Sequence, residues 1–254
     1  MSITIYSHSY KPPAKFFGTP YLGVYLGVEL ELDIEGWMGD GDSVRPASKV
    51  QDLLGDLVYF KHDGSISGVE IVTHPASLQV HRSRWKKFFK GIPKDFVVRD
   101  RDGMHVHFTR KDLTRHQVWQ IHNFINSQTK RGASDGTRGC TGDGAKWLVK
   151  LAGRDFNTHA CRLIKPEISV NEATAKGKYE AVNCTPSATV EVRLFAATLD
   201  YQEFMLRLEF VAALVQAVQL KVDPLTVQSL KDFLCKHPKR FPVLVPWLAK
   251  EGEL

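Results

Sequence analysis

The sequence predicts an α+β protein in which helices pack on the apolar face of an antiparallel sheet. Three observations favour this class: four short segments alternate strictly between apolar and polar residues, stretches with helical spacing separate them, and the composition is that of a globular protein. The chain has 254 residues, 43% of them hydrophobic and 24% charged. A chain of this length buries enough surface to fold without disulfides, and no change in composition marks a second domain. We therefore expect 1–254 to form a single domain.

The four alternating segments are expected to be half-buried strands, because successive side chains of a strand point to opposite faces. They span 27–33, 68–73, 103–109 and 189–195. Their apolar positions predict one face packed on the core. Their polar positions hold Glu29, Glu31, Asp33, Glu70, His105, His107, Glu191 and Arg193.

Helices are expected between and after these strands, at 77–89, 111–127, 200–220 and 225–235, with a last turn near Trp247. The first helical residues after Asp200 include Glu203, which has the spacing of a capping box. Residues 223–254 are expected to form a C-terminal helical tail. Two stretches rich in Gly and polar residues, 36–46 and 126–144, are expected to be irregular. For 126–144, a mobile loop that covers a substrate and a flexible connector are equally open interpretations.

The net charge of +6 is concentrated in one segment. Residues 81–101 contain eight Lys or Arg and two Asp, and the remainder of the chain is balanced. Trp85, Phe88 and Phe89 lie among the basic residues, which predicts an amphipathic helix with a packed aromatic face. A solvated helix face is the simpler interpretation of the charge. Binding of nucleic acid, an anionic substrate or an acidic partner is the alternative.

Several classes of protein are disfavoured. The four cysteines form no CxxC pair, so a zinc knuckle or a redox motif is not supported. The apolar stretch 204–222 is interrupted by charged and amide residues, which predicts a buried helix and no membrane partner. No GxxxxGK[ST] motif occurs, so the chain is not a P-loop protein. The first residues lack the apolar stretch of a signal peptide, and we expect a cytoplasmic protein.

Carboxylates and imidazoles crowd the polar positions of the predicted strands. A Glu pair or an HxH alone is commonly a solvated surface feature, but like charges on neighbouring strands destabilise a sheet. Bound cations explain the joint pattern best. Four Glu with one or two His favour Mg²⁺ or Mn²⁺, with two ions expected, over Zn²⁺. Such sites bind nucleotide phosphates, and Arg193 on the same face could stabilise a transferring phosphoryl group.

Six motifs in order carry a resemblance to a known family. They are Gly27–Glu31 (GVELE), Lys61–Ser65 (KHDGS), Gly68–Pro75 (GVEIVTHP), Gly103–His107 (GMHVH), Lys178–Asn183 (KYEAVN) and Thr189–Thr198 (TVEVRLFAAT). In this order they resemble the amidoligase family, a branch of the carboxylate–amine ligase superfamily that includes glutamine synthetase. The resemblance covers about residues 21–210. Thr73, His74 and Ala197 depart from the family pattern, which bears on local loop geometry only.

The resemblance implies a curved antiparallel sheet, a half-barrel like the glutamine synthetase catalytic domain. It implies an ATP-dependent ligase that joins a carboxylate to an amine through an acyl phosphate, with two Mg²⁺ or Mn²⁺ ions and ATP as a substrate. A bacterium, or a bacteriophage acting in its host's cytoplasm, would fit the family's distribution. The implied metal ligands are Glu29, Glu31, Glu70, His105 and Glu191. The other implied site residues are His107 near the nucleotide, Arg193 near the transferred phosphate, and Lys61, Ser65, Lys178 and Asn183 in contact with phosphate or substrate.

Asp63 has two roles in this scheme. Asp63-Gly64 is a strong turn signal, and the family motif also makes Asp63 a candidate for amine binding or for the general base. Two other functions remain open from the residues alone. One is a nucleic-acid-binding module that uses 81–101. The other is a metal hydrolase that uses His105, His107 and a Glu, prefers Zn²⁺ and acts without ATP.

Overall fold

The computed structural model describes residues 3–127, 143–154 and 180–254, which form an α+β protein. The strands are β1 (Ile5–Tyr6), β2 (Leu26–Ile34), β3 (Val58–Lys61), β4 (Gly68–Thr73), β5 (Phe96–Val97), β6 (Gly103–Thr109), β7 (Val182–Asn183) and β8 (Thr189–Ala196). The helices are α1 (Val44–Leu54), α2 (Leu78–Lys90), α3 (Arg115–Ser127), α4 (Asp143–Ala152), α5 (Tyr201–Gln219), α6 (Val227–Lys236) and α7 (Leu244–Lys250).

The described strands form one mixed sheet that stays open at its edges. Their order is β1-β3-β4-β2-β6-β8-β7, and β5 pairs with the end of β2. The β1–β3 pair is parallel and the other pairs are antiparallel. The predicted α+β class is confirmed. The long strand β2 lies in the middle of the sheet, with β4 on one side and β6 on the other.

All four predicted strands are confirmed, and their ends agree to within one residue. The strands that the sequence did not predict are β1, β3, β5 and β7, which have two to four residues each. Segments this short show too little alternation to be recognised.

One face of the sheet is apolar and contributes to the core shared with the helices. Leu30 of β2 lies opposite Ile71 on one side and Met104 on the other, and all three are fully buried. On α2, the rings of Trp85 and Phe88 are buried, and Trp85 packs 4.3 Å from Phe204 of α5 between ring centroids. The predicted aromatic face of this helix is confirmed.

Capping residues explain where the predicted helices begin. Ser77 accepts a hydrogen bond from Val80 N, and Asp200 accepts one from Glu203 N, so α2 and α5 begin where the sequence predicted. The start predicted for α3 at 111 was wrong. Thr114 and Gln117 exchange side-chain hydrogen bonds with each other's backbone N–H groups, and the helix begins only after that cap.

The prediction of an irregular segment at 36–46 was wrong in its second half. The side chain of Asp42 accepts hydrogen bonds from the N–H groups of Met38 and Gly39, and a 3₁₀ turn at Asp40–Ser43 leads into α1. Pro46 lies in the first turn of α1, where a proline is tolerated.

The ends of the predicted 126–144 loop belong to helices, since α3 continues to Ser127 and α4 begins at Asp143. The remainder of that prediction, 128–142, lies outside the described residues. In the predicted C-terminal tail, α6 and α7 both pack on α5.

Three of the eight basic residues in 81–101 bind buried carboxylates. Arg82 pairs with Glu209 of α5 at 2.8 Å, and Arg99 and Arg101 each lie 2.7 Å from a carboxylate oxygen of Asp33. These three arginines therefore balance interior charges of the fold. Among the described helices, none is long and apolar enough to span a membrane.

Candidate active site

The register of the sheet gathers the predicted polar residues on one face. Residues directly opposite each other in antiparallel strands share a face. Across β3, β4 and β2, Lys61 lies opposite Glu70, and Glu70 lies opposite Glu31. The remaining opposite pairs on this face are Glu29 with His105, His107 with Glu191, and Glu191 with Asn183. We call this set of residues the polar face.

The tightest group on the polar face consists of Glu29, His105 and Glu191. One ligand atom from each lies within 4.8 Å of those of the other two. His105 Nδ1 is 3.5 Å from Glu29 Oε2 and 3.3 Å from Glu191 Oε1. Three oxygen or nitrogen donors at this separation can bind one divalent cation. We call them the central group.

The other two predicted metal ligands lie beside the central group. Glu31 Oε1 is 3.8 Å from His105 Nε2, and Glu31 Oε2 accepts a hydrogen bond of 2.7 Å from the N–H of Gly103. Glu70 is 2% exposed and lies next to the Lys61 ammonium.

Lys61 bridges two carboxylates of the polar face. Its Nζ is 3.5 Å from Glu29 Oε1 and 3.4 Å from Glu70 Oε2, and its side chain is nearly buried. The sequence predicted contact of Lys61 with phosphate or substrate, and the structure adds this bridging position. A fixed ammonium between two acids offsets part of their mutual repulsion.

A β-bulge in the β6–β8 pair accompanies the position of Arg193 beside the central group. Met104 lies opposite Phe195 and Val106 lies opposite Val192, so two residues of β8 oppose His105 alone. The guanidinium of Arg193, one of these two, donates to Glu191 Oε1. Arg154, just after α4, donates to the carbonyl oxygen of Arg193 at 2.9 Å.

Asn183 orients the carboxylate of Glu191. Its Nδ2 donates to Glu191 Oε2 at 2.8 Å, and its Oδ1 accepts hydrogen bonds from the backbone N–H and hydroxyl of Thr185. Asn183 is 4% exposed. These bonds hold Glu191 in one orientation, as a positioning residue does for a metal ligand.

The predicted turn at Asp63 is confirmed, and it lies at the border of the polar face. Asp63 Oδ1 accepts hydrogen bonds from the N–H of Ser65 at 2.7 Å and from its hydroxyl at 2.6 Å. Asp63 Oδ2 is 3.6 Å from Nδ1 of His8. Ser65 itself is exposed.

Opposing effects set the protonation of the central group. Burial alone raises the pKa of Glu29, but His107, His105 and Lys61 outweigh burial and hold that pKa well below its usual range. Burial likewise raises the pKa of Glu191, and His107, His105 and Arg193 bring it below normal. These two carboxylates are therefore ionised near neutral pH.

Glu70 and His107 respond in the opposite sense. Burial, followed by the charge of Glu29, raises the pKa of Glu70 to about 9. Burial lowers the pKa of His107, but Glu29 and Glu191 exceed that effect and raise it. Glu70 therefore holds a proton at neutral pH unless another cation replaces it.

Two orphaned atoms indicate that the polar face fits divalent cations. Glu70 Oε2 and His107 Nε2 are both buried and lack a hydrogen-bond partner among the described residues. Their nearest ion-pair neighbours there are Lys61, at 3.4 Å from Glu70 Oε2, and Glu29, at 3.5 Å from His107 Nε2. An unsatisfied buried polar group costs about 1–3 kcal/mol, which a bound cation would offset. The donor set of carboxylates with imidazole is suited to Mg²⁺ or Mn²⁺.

The structure brings most of the predicted site residues together. The five predicted metal ligands, His107, Arg193, Lys61 and Asn183 lie on the polar face, and Asp63 and Ser65 lie at its border. Lys178 lies outside the described residues. Sequence reasoning missed His8 and Arg154, since neither lies in an alternating segment or a family motif. Comparison of the sequence with models of known protein families and with curated proteins finds no match.

Proposed function

We propose that this protein is an ATP-dependent carboxylate–amine ligase that forms an amide bond through an acyl phosphate. The observation that carries the proposal is the convergence of Glu29, His105 and Glu191 on one face, next to the fixed positive charges of Lys61 and Arg193. The ordered motifs that resemble amidoligases support the proposal. We propose also that the sheet is a half-barrel of the glutamine synthetase type.

The central group, with Glu31 and Glu70 beside it, would hold Mg²⁺ or Mn²⁺. Such ions would supply positive charge that offsets the negative charge developing during phosphoryl transfer. Asn183 keeps Glu191 oriented for this role.

The positive side chains have complementary roles. Arg193 lies on the polar face beside Glu191, where its guanidinium can contact the transferred phosphoryl group. Lys61 can release one of its two carboxylates and attract the carboxylate substrate or a phosphate, since a lysine ammonium acts as a point charge. The substrate carboxylate then attacks the γ-phosphorus atom, and ADP leaves.

Asp63 would accept a proton from the amine. Burial raises its pKa, but the two hydrogen bonds from Ser65 outweigh burial and lower it, so Asp63 is ionised at neutral pH. The amine attacks the acyl carbon, phosphate leaves, and the amine proton passes to the Asp63 carboxylate.

A metal hydrolase is the second candidate, and one observation favours it. Glu29 lies 3.5 Å from an imidazole nitrogen of both His105 and His107, a mixed donor set that Zn²⁺ also accepts. The nucleic-acid alternative is weakened, because Arg82, Arg99 and Arg101 are engaged with carboxylates of the fold.

Trapping of the acyl phosphate tests the ligase whatever its natural amine substrate is. The protein is incubated with ATP, Mg²⁺, hydroxylamine and pools of carboxylic acids, and ADP, phosphate and hydroxamate are measured. We expect release of ADP and phosphate that depends on the carboxylate and matches hydroxamate formation. ATP turnover that ignores every carboxylate, or hydrolysis that proceeds with Zn²⁺ in the absence of ATP, contradicts the ligase proposal.

A matched pair of variants connects the activity to the polar face. Glu191→Gln removes a charge from the central group, whereas Glu35→Gln removes the same charge from an exposed residue just beyond β2. We expect loss of hydroxamate formation in the first and wild-type rates in the second.

A further inference from the structure

We propose that His8, Asp63 and Glu70 form a second site for a divalent cation, separate from the central group. One ligand atom from each lies within 4.8 Å of those of the other two. His8 belongs to none of the motifs that predicted metal ligands. One imidazole with two carboxylates suits Mn²⁺ better than Mg²⁺, which prefers oxygen donors.

The segment after β1 holds His8 above the sheet. Tyr6 pairs with Lys61 in the parallel β1–β3 ladder, and its carbonyl oxygen accepts a hydrogen bond of 2.9 Å from His62 N. The chain then turns, with Tyr10 N donating to Ser7 O at 3.0 Å. The Tyr10 ring stacks on Tyr6 with centroids 3.7 Å apart. His8 is exposed, but the backbone that carries it is anchored on both sides.

Asp63 presents one oxygen to this position. Its Oδ1 is occupied by the hydrogen bonds from Ser65, and its Oδ2 lies 3.6 Å from His8 Nδ1. Because hydrogen bonds to Oδ1 already fix the orientation of the carboxylate, an ion that binds Oδ2 has little side-chain freedom to remove.

Glu70 supplies the independent indication that a ligand belongs here. Its side chain is 3% exposed, and within the described parts of the chain its Oε2 lacks a hydrogen-bond partner. The neighbouring Lys61 ammonium, 3.4 Å away, is shared with Glu29. A cation bound next to His8 would give Glu70 Oε2 the partner that it lacks, because Lys61 is shared with Glu29 and makes no hydrogen bond to this oxygen.

This inference rests on the proposed function for its purpose, since a second ion would assist the first at the transferred phosphate. With the ion bound, Asp63 would be a ligand, and the departing phosphate would accept the amine proton in its place. Its test is metal binding alone, so the two proposals can fail separately. The competing occupant is the ammonium group of an amine substrate, which carboxylates also attract.

The experiment is a titration of the full chain with Mn²⁺ in the absence of nucleotide, followed by electron paramagnetic resonance of the free ion. We expect two Mn²⁺ per chain in the wild type. His8→Ala and Asp63→Asn should each weaken one of the two sites about 10- to 100-fold, as loss of ligand-sphere groups does. Glu191→Gln should weaken the other. The matched control is His62→Ala, because His62 is the neighbouring histidine that pairs with Asp40 at 3.6 Å.

Circular dichroism of each variant checks folding, and exposed His8 is the substitution least able to disturb it. If the wild type binds two Mn²⁺ and neither His8→Ala nor Asp63→Asn changes the affinity for either ion, the inference is overturned. A single wild-type site that is lost only in Glu191→Gln also overturns it and leaves the proposed function intact. A site from which methylammonium displaces Mn²⁺ at equal concentration belongs to the amine, which likewise overturns the inference. Absence of any Mn²⁺ or Mg²⁺ binding removes the proposed function as well.

Discussion

The strand β2 holds two carboxylates in opposite ways, the buried Asp33 and the half-buried Glu29. Near its C-terminal end, Asp33 is fully buried and accepts from Ser67 N at 2.6 Å, and it lies 2.7 Å from both Arg99 and Arg101. Near its N-terminal end, the closest partners of Glu29 are more distant. Nitrogens of His105, His107 and Lys61 all lie 3.5 Å from its oxygens.

The difference distinguishes a carboxylate that stabilises the fold from one that is kept available for a ligand. Asp33 has charge-assisted hydrogen bonds of normal length, so it needs no further partner. Glu29 is surrounded by cationic and imidazole groups that do not approach it closely. Among the described residues, Oε2 of its neighbour Glu70 accepts no hydrogen bond and has only the Lys61 ammonium at 3.4 Å. Binding sites commonly keep such incompletely paired charges, which lowers the stability of the fold.

The largest expected effect is on activity, from Glu29→Gln. We expect the ATP-dependent reaction to fall about 10²- to 10³-fold, because one carboxylate of the central group, which would hold the cation, is lost. The free energy of unfolding should fall by less than about 2 kcal/mol, because the ion pairs that Glu29 loses with His105, His107 and Lys61 are long, at 3.5 Å. Urea titration with the trapping assay measures both. A loss of stability as large as that caused by removing the Asp33 charge would erase the contrast with Asp33.

Asp33→Asn should have the opposite profile. We expect the free energy of unfolding to fall by about 2–4 kcal/mol, since two arginines lose their common partner. The matched control is Asp95→Asn, which removes a partly exposed carboxylate 3.7 Å from Arg45 and should cost under about 0.5 kcal/mol. Equal losses in the two variants would mean that Asp33 is no more important than a surface acid.

His81 extends the comparison to imidazoles. Its Nδ1 accepts from Trp85 and its Nε2 donates to the carbonyl oxygen of Leu26, so its hydrogen bonds require the neutral ring. Burial lowers its pKa to about 4. The unfolded chain, with an ordinary histidine pKa, binds the proton first as pH falls below about 6.5. This stability is therefore present above pH 6.5 and is lost towards pH 4.

The size of this effect is about 2 kcal/mol between pH 7 and pH 5, from the difference between the two pKa values. Denaturant titrations of the wild type and of His81→Gln at both pH values isolate it. The wild type should lose more stability on acidification than the variant. Equal losses would show that His81 is protonated in the folded protein without cost.

The smallest effect is expected from the exposed lysines of α2. Lys86→Gln and Lys87→Gln should change the free energy of unfolding by less than about 0.5 kcal/mol. Arg82→Gln, on the same helix, should cost about 1–3 kcal/mol because buried Glu209 loses a charged donor. If the lysine variants instead abolish a salt-sensitive affinity for nucleic acid, the basic face is a binding surface.

Alternation made the polar face predictable from sequence. Because side chains of a strand alternate, Glu29 with Glu31 and His105 with His107 had to share faces once the strands were recognised. The register that places Glu29 opposite His105 depends on pairing between distant segments. The resemblance to amidoligases supplied only the expectation that both residues are metal ligands.

Other features had no local signal. His8 reaches the site through a two-residue parallel strand, and Lys61 reaches two carboxylates through the conformation of a long side chain. Two further features did have a local signal and were predictable. Thr114 and Gln117 have the spacing of a capping box, which marks the start of α3. The buried residues of α1, Ala47, Val50 and Leu54, recur at helical spacing.

The middle position of β2 has a consequence for how the protein could be divided. Its neighbours β4 and β6 are separated in the chain by α2 and β5. A break near Gly91 would leave Glu29 and Glu70 on one fragment and His105 and Glu191 on the other. Neither half would contain the complete central group, so recovery of the cation binding that depends on Glu191 would report that the two pieces had reassembled.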